Sequence, residues 1–249
     1  QVLDGLEDSE GWYYEIQAHD MDNDGDEDLI VGNLGLNYKY KASRNEPFEV
    51  YSTDFDNNGS IDIVLSYYEH GEVFPVRGKD CSTQQIPDIG KQFGSYEKFG
   101  DSNLLEVYGE SLKEALNLKS KTFASAYVEN LGNGSYKITP LPNLAQVSSI
   151  NNILINDYNL DGHKDLLVSG NLYSSEIETP RNDAATGLLL QGDGKGKFTP
   201  IPIQSSGFFA PHDAKDMKTI KVQGKEIILV GNNSGVFQAI EYSTPTALK

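Results

Sequence analysis

Short apolar runs separated by acidic, glycine-bearing loops set the pattern of this chain. Three segments align without gaps: His19-Asp-Met-Asp-Asn-Asp-Gly-Asp-Glu-Asp-Leu-Ile-Val31, Thr53-Asp-Phe-Asp-Asn-Asn-Gly-Ser-Ile-Asp-Ile-Val-Leu65 and Asn156-Asp-Tyr-Asn-Leu-Asp-Gly-His-Lys-Asp-Leu-Leu-Val168. An apolar run such as Phe48–Tyr51 or Ile150–Ile155 precedes the loop, and a β-branched or leucine-rich run follows it. Each unit therefore reads as strand, nine-residue loop, strand.

A second repeat has another signature. Asn130-Leu-Gly-Asn-Gly-Ser-Tyr136 through Pro142 matches Gly192-Asp-Gly-Lys-Gly-Lys-Phe198 through Pro202, with Gly134 on Gly196 and a period of about 62 residues. Each copy predicts a hairpin whose glycines supply positive φ and whose aromatic opens the return strand. Two hairpins per period make a four-stranded blade of roughly propeller size. A fourth copy, Asp216–Gly231, keeps the paired strands but shortens the loop to Gln223-Gly224-Lys225, without carboxylates, and is expected to bind no metal.

Strand patterning stops over residues 77–120. Leu105, Tyr108, Leu112 and Leu116 recur there at helical spacing, and Ser111-Leu-Lys-Glu114 has the form of a capping box, so a short helical insertion is expected. The expected fold is all-β: a β-propeller of about four blades, or part of a larger one, with that insertion. Residues 1–249 are read as one propeller domain or fragment, a length that one repeat domain can reach. The 24 Gly, 14 Tyr and 10 Phe suit short strands and tight turns better than a helical bundle.

The loops carry the chemistry. Their positions 1, 3, 5, 7 and 9 are Asp20, Asp22, Asp24, Asp26 and Asp28 in the first and Asp54, Asp56, Asn58, Ser60 and Asp62 in the second. In the third they are Asp157, Asn159, Asp161, His163 and Asp165, and glycine always holds position 6 (Gly25, Gly59, Gly162). Ca²⁺ takes six to eight oxygen ligands, mixing carboxylates with carbonyls, and a glycine turn lets such side chains converge. An EF-hand would need a Glu at position 12, where this chain has Val31, Leu65 and Val168 inside apolar runs. A single such loop can also be read as a metal-free Asx turn. Three aligned copies favour a metal, expected to be Ca²⁺ at about three sites, since Mg²⁺ keeps more of its waters and a strict octahedron.

The formal net charge of −17 opposes binding to phosphate backbones, so nucleic acid is not an expected partner. No apolar run is long enough for a membrane helix, and no insertion into a membrane is expected. The lone Cys81 leaves the compartment open. Gln1 and the residues after it lack the basic and apolar regions of a signal peptide, so a longer or already processed precursor is expected.

The loops and the glycine hairpins closed by an aromatic resemble the FG-GAP and VCBS repeats of integrin α-subunit propellers and of bacterial surface proteins, including those that also carry ASPIC/UnbV domains. The resemblance extends to Gln84-Gln-Ile-Pro87, Pro140-Leu-Pro142, Gln146, Gly187-Leu-Leu-Leu-Gln-Gly-Asp-Gly194 and Asp213-Ala214. It implies an exported protein, extracellular, on the cell surface or periplasmic, and a ring of about seven blades. The first two loops begin about 34 residues apart, roughly half a blade, which departs from that pattern.

Two functions follow. The first is a calcium-binding recognition module without catalysis, binding a protein or a glycan through aromatics such as Tyr67, Tyr68, Phe74, Phe93, Tyr96 and Phe99. The second is a polysaccharide lyase or hydrolase on the same scaffold, which needs acids or bases distinct from metal ligands. Among the four histidines, His19 and His163 belong to the loops, and His70 and His212 lack a recognisable partner in the sequence. Arg181-Asn-Asp183 is the remaining polar cluster, readable as a ligand contact or as an ordinary loop ion pair.

Overall fold

The computed structural model describes residues 3–175 and 179–242. Within these the chain forms four antiparallel sheets and a few short helices. It opens with β1 (Glu15–His19) and β2 (Asp28–Gly32), followed by β3 (Phe48–Thr53), β4 (Asp62–Glu69) and β5 (Glu72–Pro75). Helices α1 (Lys79–Gln85), α2 (Pro87–Gln92), α3 (Tyr96–Gly100) and α4 (Leu104–Tyr108) precede β6 (Leu116–Ser120). After them come β7 (Ala126–Asn130), β8 (Tyr136–Pro140), β9 (Asn152–Asn156), β10 (Asp165–Ser169), β11 (Leu188–Gly192) and β12 (Phe198–Ile201). The one-turn helix α5 (Ile203–Ser206) and β13 (Ala214–Val222), β14 (Lys225–Asn232) and β15 (Gln238–Tyr242) follow among the described residues.

Two compact units result. One comprises residues 1–7, 12–39 and 123–249; the other comprises residues 8–11 and 40–122. The first unit holds the sheets β1-β2-β7-β8, β9-β10-β11-β12 and β13-β14-β15. The second holds β5-β4-β3-β6 and α1 to α4. The close spacing of the first two acidic loops follows from this connectivity. The chain leaves its first sheet after β2, builds a separate sheet around the second loop, and returns as β7, which pairs with β2 through Val31 and Ala126.

The register around each acidic loop is the same. The residue before position 1 pairs with the aspartate at position 9: His19 with Asp28, Thr53 with Asp62, and Asn156 with Asp165. In the degenerate copy Val222 pairs with Lys225 across Gln223 and Gly224, both at positive φ, as a two-residue hairpin requires.

In the first unit, β10 is buried at all five positions because successive side chains serve different cores. Leu166 and Val168 pack with Ile30, Tyr127, Ile153, Leu190 and Phe198, while Leu167 packs with Phe208, Met217, Ile228 and Val230. A strand covered on both faces reads as a continuous apolar run, which is the pattern of Leu166-Leu-Val168.

A feature missed in the sequence is a Gly-Asn pair at the end of the second strand of these sheets. A Cβ on Gly32 would collide with the Ile150 carbonyl oxygen, and one on Gly170 with that of Ser149. Asn33 and Asn171, which follow these glycines, are fully buried. Asn33 Oδ1 accepts from the backbone N–H of Trp12 at 3.1 Å, and Asn171 Oδ1 accepts from Ser148 Oγ at 2.8 Å. The recurring Gly32-Asn33, Gly170-Asn171 and Gly231-Asn232 was the available signal.

In the second unit the helices fall inside the expected 77–120 stretch, but their boundaries differ from the expectation. Gly109, at φ +68, ends α4, so Leu112 lies in a 3₁₀ turn (Gly109–Lys113) and Leu116 in β6. The capping box is Asn103 with Glu106, not Ser111 with Glu114. Asn103 Oδ1 accepts from the Glu106 N–H at 3.0 Å, and Glu106 Oε2 accepts from the Asn103 N–H at 2.9 Å. Ile86, Ile89, Phe93, Phe99 and Val107 form the helical core, against which Phe55 of the second loop packs.

Replacing Gly170 with Ala should destabilise the chain by about 1–3 kcal/mol, since backbone must move to admit the methyl group. At 2–4 °C per kcal/mol for chains of this size, the expected drop in melting temperature is several degrees. A thermal melt followed by circular dichroism that matched the parent would refute the close approach.

Candidate metal centre

Each acidic loop is folded by its own side chains. At position 1, Asp20, Asp54 and Asp157 accept from the N–H of the position-6 glycine through Oδ2, at 3.1, 2.8 and 2.9 Å. At position 5, Asp24, Asn58 and Asp161 accept from the position-7 N–H at 2.9, 2.8 and 2.9 Å. At position 9, Asp28, Asp62 and Asp165 accept from the position-2 N–H at 3.1, 3.0 and 2.9 Å. The backbone pays for this curl with left-handed φ values at position 4, Asn23, Asn57 and Leu160, and at the position-6 glycines. Asn tolerates that region better than Leu, so the third loop is the more strained copy.

These turns gather charge. Asp20, Asp22 and Asp28 bring one carboxylate oxygen each to within 4.8 Å of one another, and so do Asp54, Asp56 and Asp62. Both groups could hold a metal ion. Burial, followed by the neighbouring carboxylates of Asp28, Asp24 and Asp20, pushes the Asp22 carboxyl above its ordinary value. Asp20 Oδ1 is buried without a hydrogen-bond partner among the described residues. A cation between these groups would meet both conditions at once.

The position-9 aspartates are almost wholly buried, with Asp28 at 1%, Asp62 at 4% and Asp165 at 1% exposure. Asp28 Oδ2 accepts from Met21 N–H and from the Tyr127 hydroxyl at 2.9 Å, and Oδ1 accepts from the Asn130 N–H at 2.8 Å. Three of about four lone-pair directions are thus used, and one remains for a cation. Burial and this carboxylate raise the Tyr127 phenol far above its usual range, so it stays a donor. Asp165 repeats the tie to the next strand, where Gly192 N–H donates to Oδ1 at 3.0 Å.

The third loop shares the backbone pattern but differs in its side chains. Asn159 occupies position 3, and its Nδ2 donates to Asp161 Oδ2 at 2.8 Å, as does Gln191 Nε2 at 3.3 Å. The His163 N–H, with the Asn159 amide, holds the Asp161 carboxyl below its ordinary value. The His163 ring packs against Gly194, where a Cβ would collide with Nδ1. Asp24 and Asn58 accept from the backbone N–H of Asp26 and Ser60, which shapes the turn, and Asp24 and Asp26 lie outside the gathered carboxylates of Asp20, Asp22 and Asp28.

The other candidates separate clearly. Arg181 pairs with Asp183 at 2.8 Å and covers the Tyr173 ring at 4.6 Å, while Asn182 is buried and bridges to Leu172 through backbone. That cluster braces its own loop. His70 is a turn residue at φ +53 between β4 and β5, and His19 Nδ1 lies 2.9 Å from the Asp20 carbonyl oxygen. No protein-family model matches the chain, and no curated protein matches it.

Asp22→Asn and Asp56→Asn keep an oxygen acceptor for the turn and remove one charge each. Native mass spectrometry in a divalent-cation buffer should show each variant holding one ion fewer than the parent. An unchanged ion count in both would rule the gathered carboxylates out as ligands.

Proposed function

We propose that this chain is part of a calcium-stabilised β-propeller and serves as a non-catalytic recognition module in a calcium-rich compartment, extracellular, on the cell surface or periplasmic. The observation that carries the reading is the gathering of three aspartates in each of the first two loops. All-oxygen donor sets suit a hard cation, and the absence of Cys or His from either set disfavours zinc or copper. The mixture of carboxylates with a curled backbone suits Ca²⁺ over Mg²⁺. Asp157, Asn159, Asp161 and Asp165 form a third, weaker candidate. The bound ion would supply positive charge that offsets carboxylate repulsion and fixes the loop.

The propeller reading is supported by sheet order within the first unit. Strands β9 to β12 and β13 to β15 are consecutive, and β9 lies against both β1 and β13, each of which begins its sheet. Extracellular calcium modules have Kd values of about 10⁻⁴–10⁻³ M, which suits a millimolar-calcium exterior.

One cavity favours the enzymatic alternative. It measures about 260 Å³ and is lined in part by Glu15, His19, Asp216 and Lys218, so two carboxylates share a concave site. If the chain cleaves polysaccharide there, Asp216→Asn would abolish release of reducing ends; an inactive parent would dispose of this alternative.

Calcium that binds only the folded form stabilises by RT ln(1 + [Ca²⁺]/Kd), about 1.4 kcal/mol per site at tenfold saturation. Two sites then contribute roughly 3 kcal/mol, and chelation should lower the melting temperature by roughly 5–10 °C. Calorimetry in excess chelator against millimolar calcium measures the shift. Coincident melts would mean that the loops are plain turns.

A further inference from the structure

Aromatic residues of the second unit serve its helical core and also line a cavity. Phe93 and Phe99 are buried with ring centroids 5.6 Å apart and belong to the helical core. Tyr67, Phe74 and Tyr96, together with Phe99, line a cavity of about 280 Å³ between the β4–β5 hairpin, the segment entering α1, and α3. Tyr67 and Phe74 pair across the hairpin with centroids 6.2 Å apart, and Tyr96 is 67% exposed.

The charge of this cavity runs against that of the chain. Its charged lining residues are Arg77 and Lys79, with no carboxylate among the described ones, although the whole chain carries −17. The Lys79 ammonium lies 5.2 Å from the Tyr96 ring centroid. Arg77 Nη1 donates to Gln85 Oε1 at 2.7 Å, and Gln85 Nε2 donates to the Ile63 carbonyl at 3.2 Å, which ties the guanidinium to β4. The Tyr96 hydroxyl donates to Asp80 at 3.0 Å, which orients the ring from outside the cavity.

We propose that this cavity binds one acidic pyranose unit of a carboxylated oligosaccharide, with the sugar face on Tyr96 and the Tyr67–Phe74 pair and its carboxylate toward Lys79. The proposal rests on the recognition reading above and names its ligand class. Exposed aromatic rings offer broad faces to apolar C–H surfaces at low entropic cost. A small positive patch in an acidic field draws anions to itself and away from the remaining surface. The volume lies just below the usual range of about 300–1,000 Å³ for small-molecule sites, which suits a single ring. An acidic peptide fits less well, because strand addition at β5 would meet Pro75, which lacks an N–H, and Val76, whose N–H already donates to the Leu65 carbonyl at 2.9 Å.

Calorimetric titration of the whole chain at fixed millimolar calcium tests this, with trigalacturonate as probe and cellotriose and triglutamate as comparators. The expected result is saturable binding of trigalacturonate alone, weakened about tenfold or more by Lys79→Met and by Tyr96→Ala, and largely retained in Lys79→Arg. The acidic loops are intact in all three variants, and their melting temperatures should match the parent. No binding of trigalacturonate, equal binding of cellotriose or triglutamate, or binding untouched by both substitutions would each overturn the proposal. Melting that ignores chelator would sink the calcium reading by itself, so the two failures are read on separate measurements.

Discussion

The buried aspartate that closes each acidic loop is the interaction on which three of the four sheets depend. A carboxylate at 1–4% exposure is costly unless it is hydrogen-bonded or paired, and Asp28, Asp62 and Asp165 are all held by the N–H two positions into their own loop. That single bond fixes where the loop ends and the exit strand begins, and therefore which face each following residue takes. Asp28 and Asp165 go further and hold the neighbouring strand through Asn130 and Gly192. In those two sheets one side chain ties the loop to the neighbouring strand.

The same bond explains why the loops crowd negative charge. Once position 9 is buried, the glycine turn brings positions 1 and 3 toward it, and in the first two loops three carboxylate oxygens end within 4.8 Å. Protein donors answer much of the demand at Asp28, but the Asp20 oxygen remains without a partner among the described residues. Where Asn replaces Asp at position 3, as in Asn159, an amide donor turns to Asp161 and the charge is shared with Gln191 instead. At position 3 the third loop thus offers an amide where the first two offer a carboxylate.

Much of this was legible in the sequence because it is local. Loop boundaries, strand pairs on either side, the glycine hairpins and the loss of carboxylates in the fourth copy all follow from residues close to one another along the chain. The features that were not legible depend on distant neighbours. Gly32 and Gly170 are required by the backbone of Ile150 and Ser149, an approach whose trace in the sequence is only the recurring Gly-Asn pair. The helical spacing of Leu105 to Leu116 was misleading because Gly109 breaks it, and the pairing of Leu116 with Ser52 wins over the periodicity. Likewise Phe93 and Tyr96 look alike as candidates, and only the helical core separates them.

The resulting division of labour follows from electrostatics. Positions near the loops are poor places to read an anionic ligand, since the crowded carboxylates there repel it. Partly exposed aromatic side chains are found instead beside the β4–β5 hairpin, where Arg77 and Lys79 supply the opposite charge. The second loop lies at the other end of β4 from that hairpin, and its Phe55 packs with Tyr108 on the helices that also carry Tyr96 and Phe99. A cation that rigidified Asp54, Asp56 and Asp62 would therefore steady the strand and helices lining the cavity.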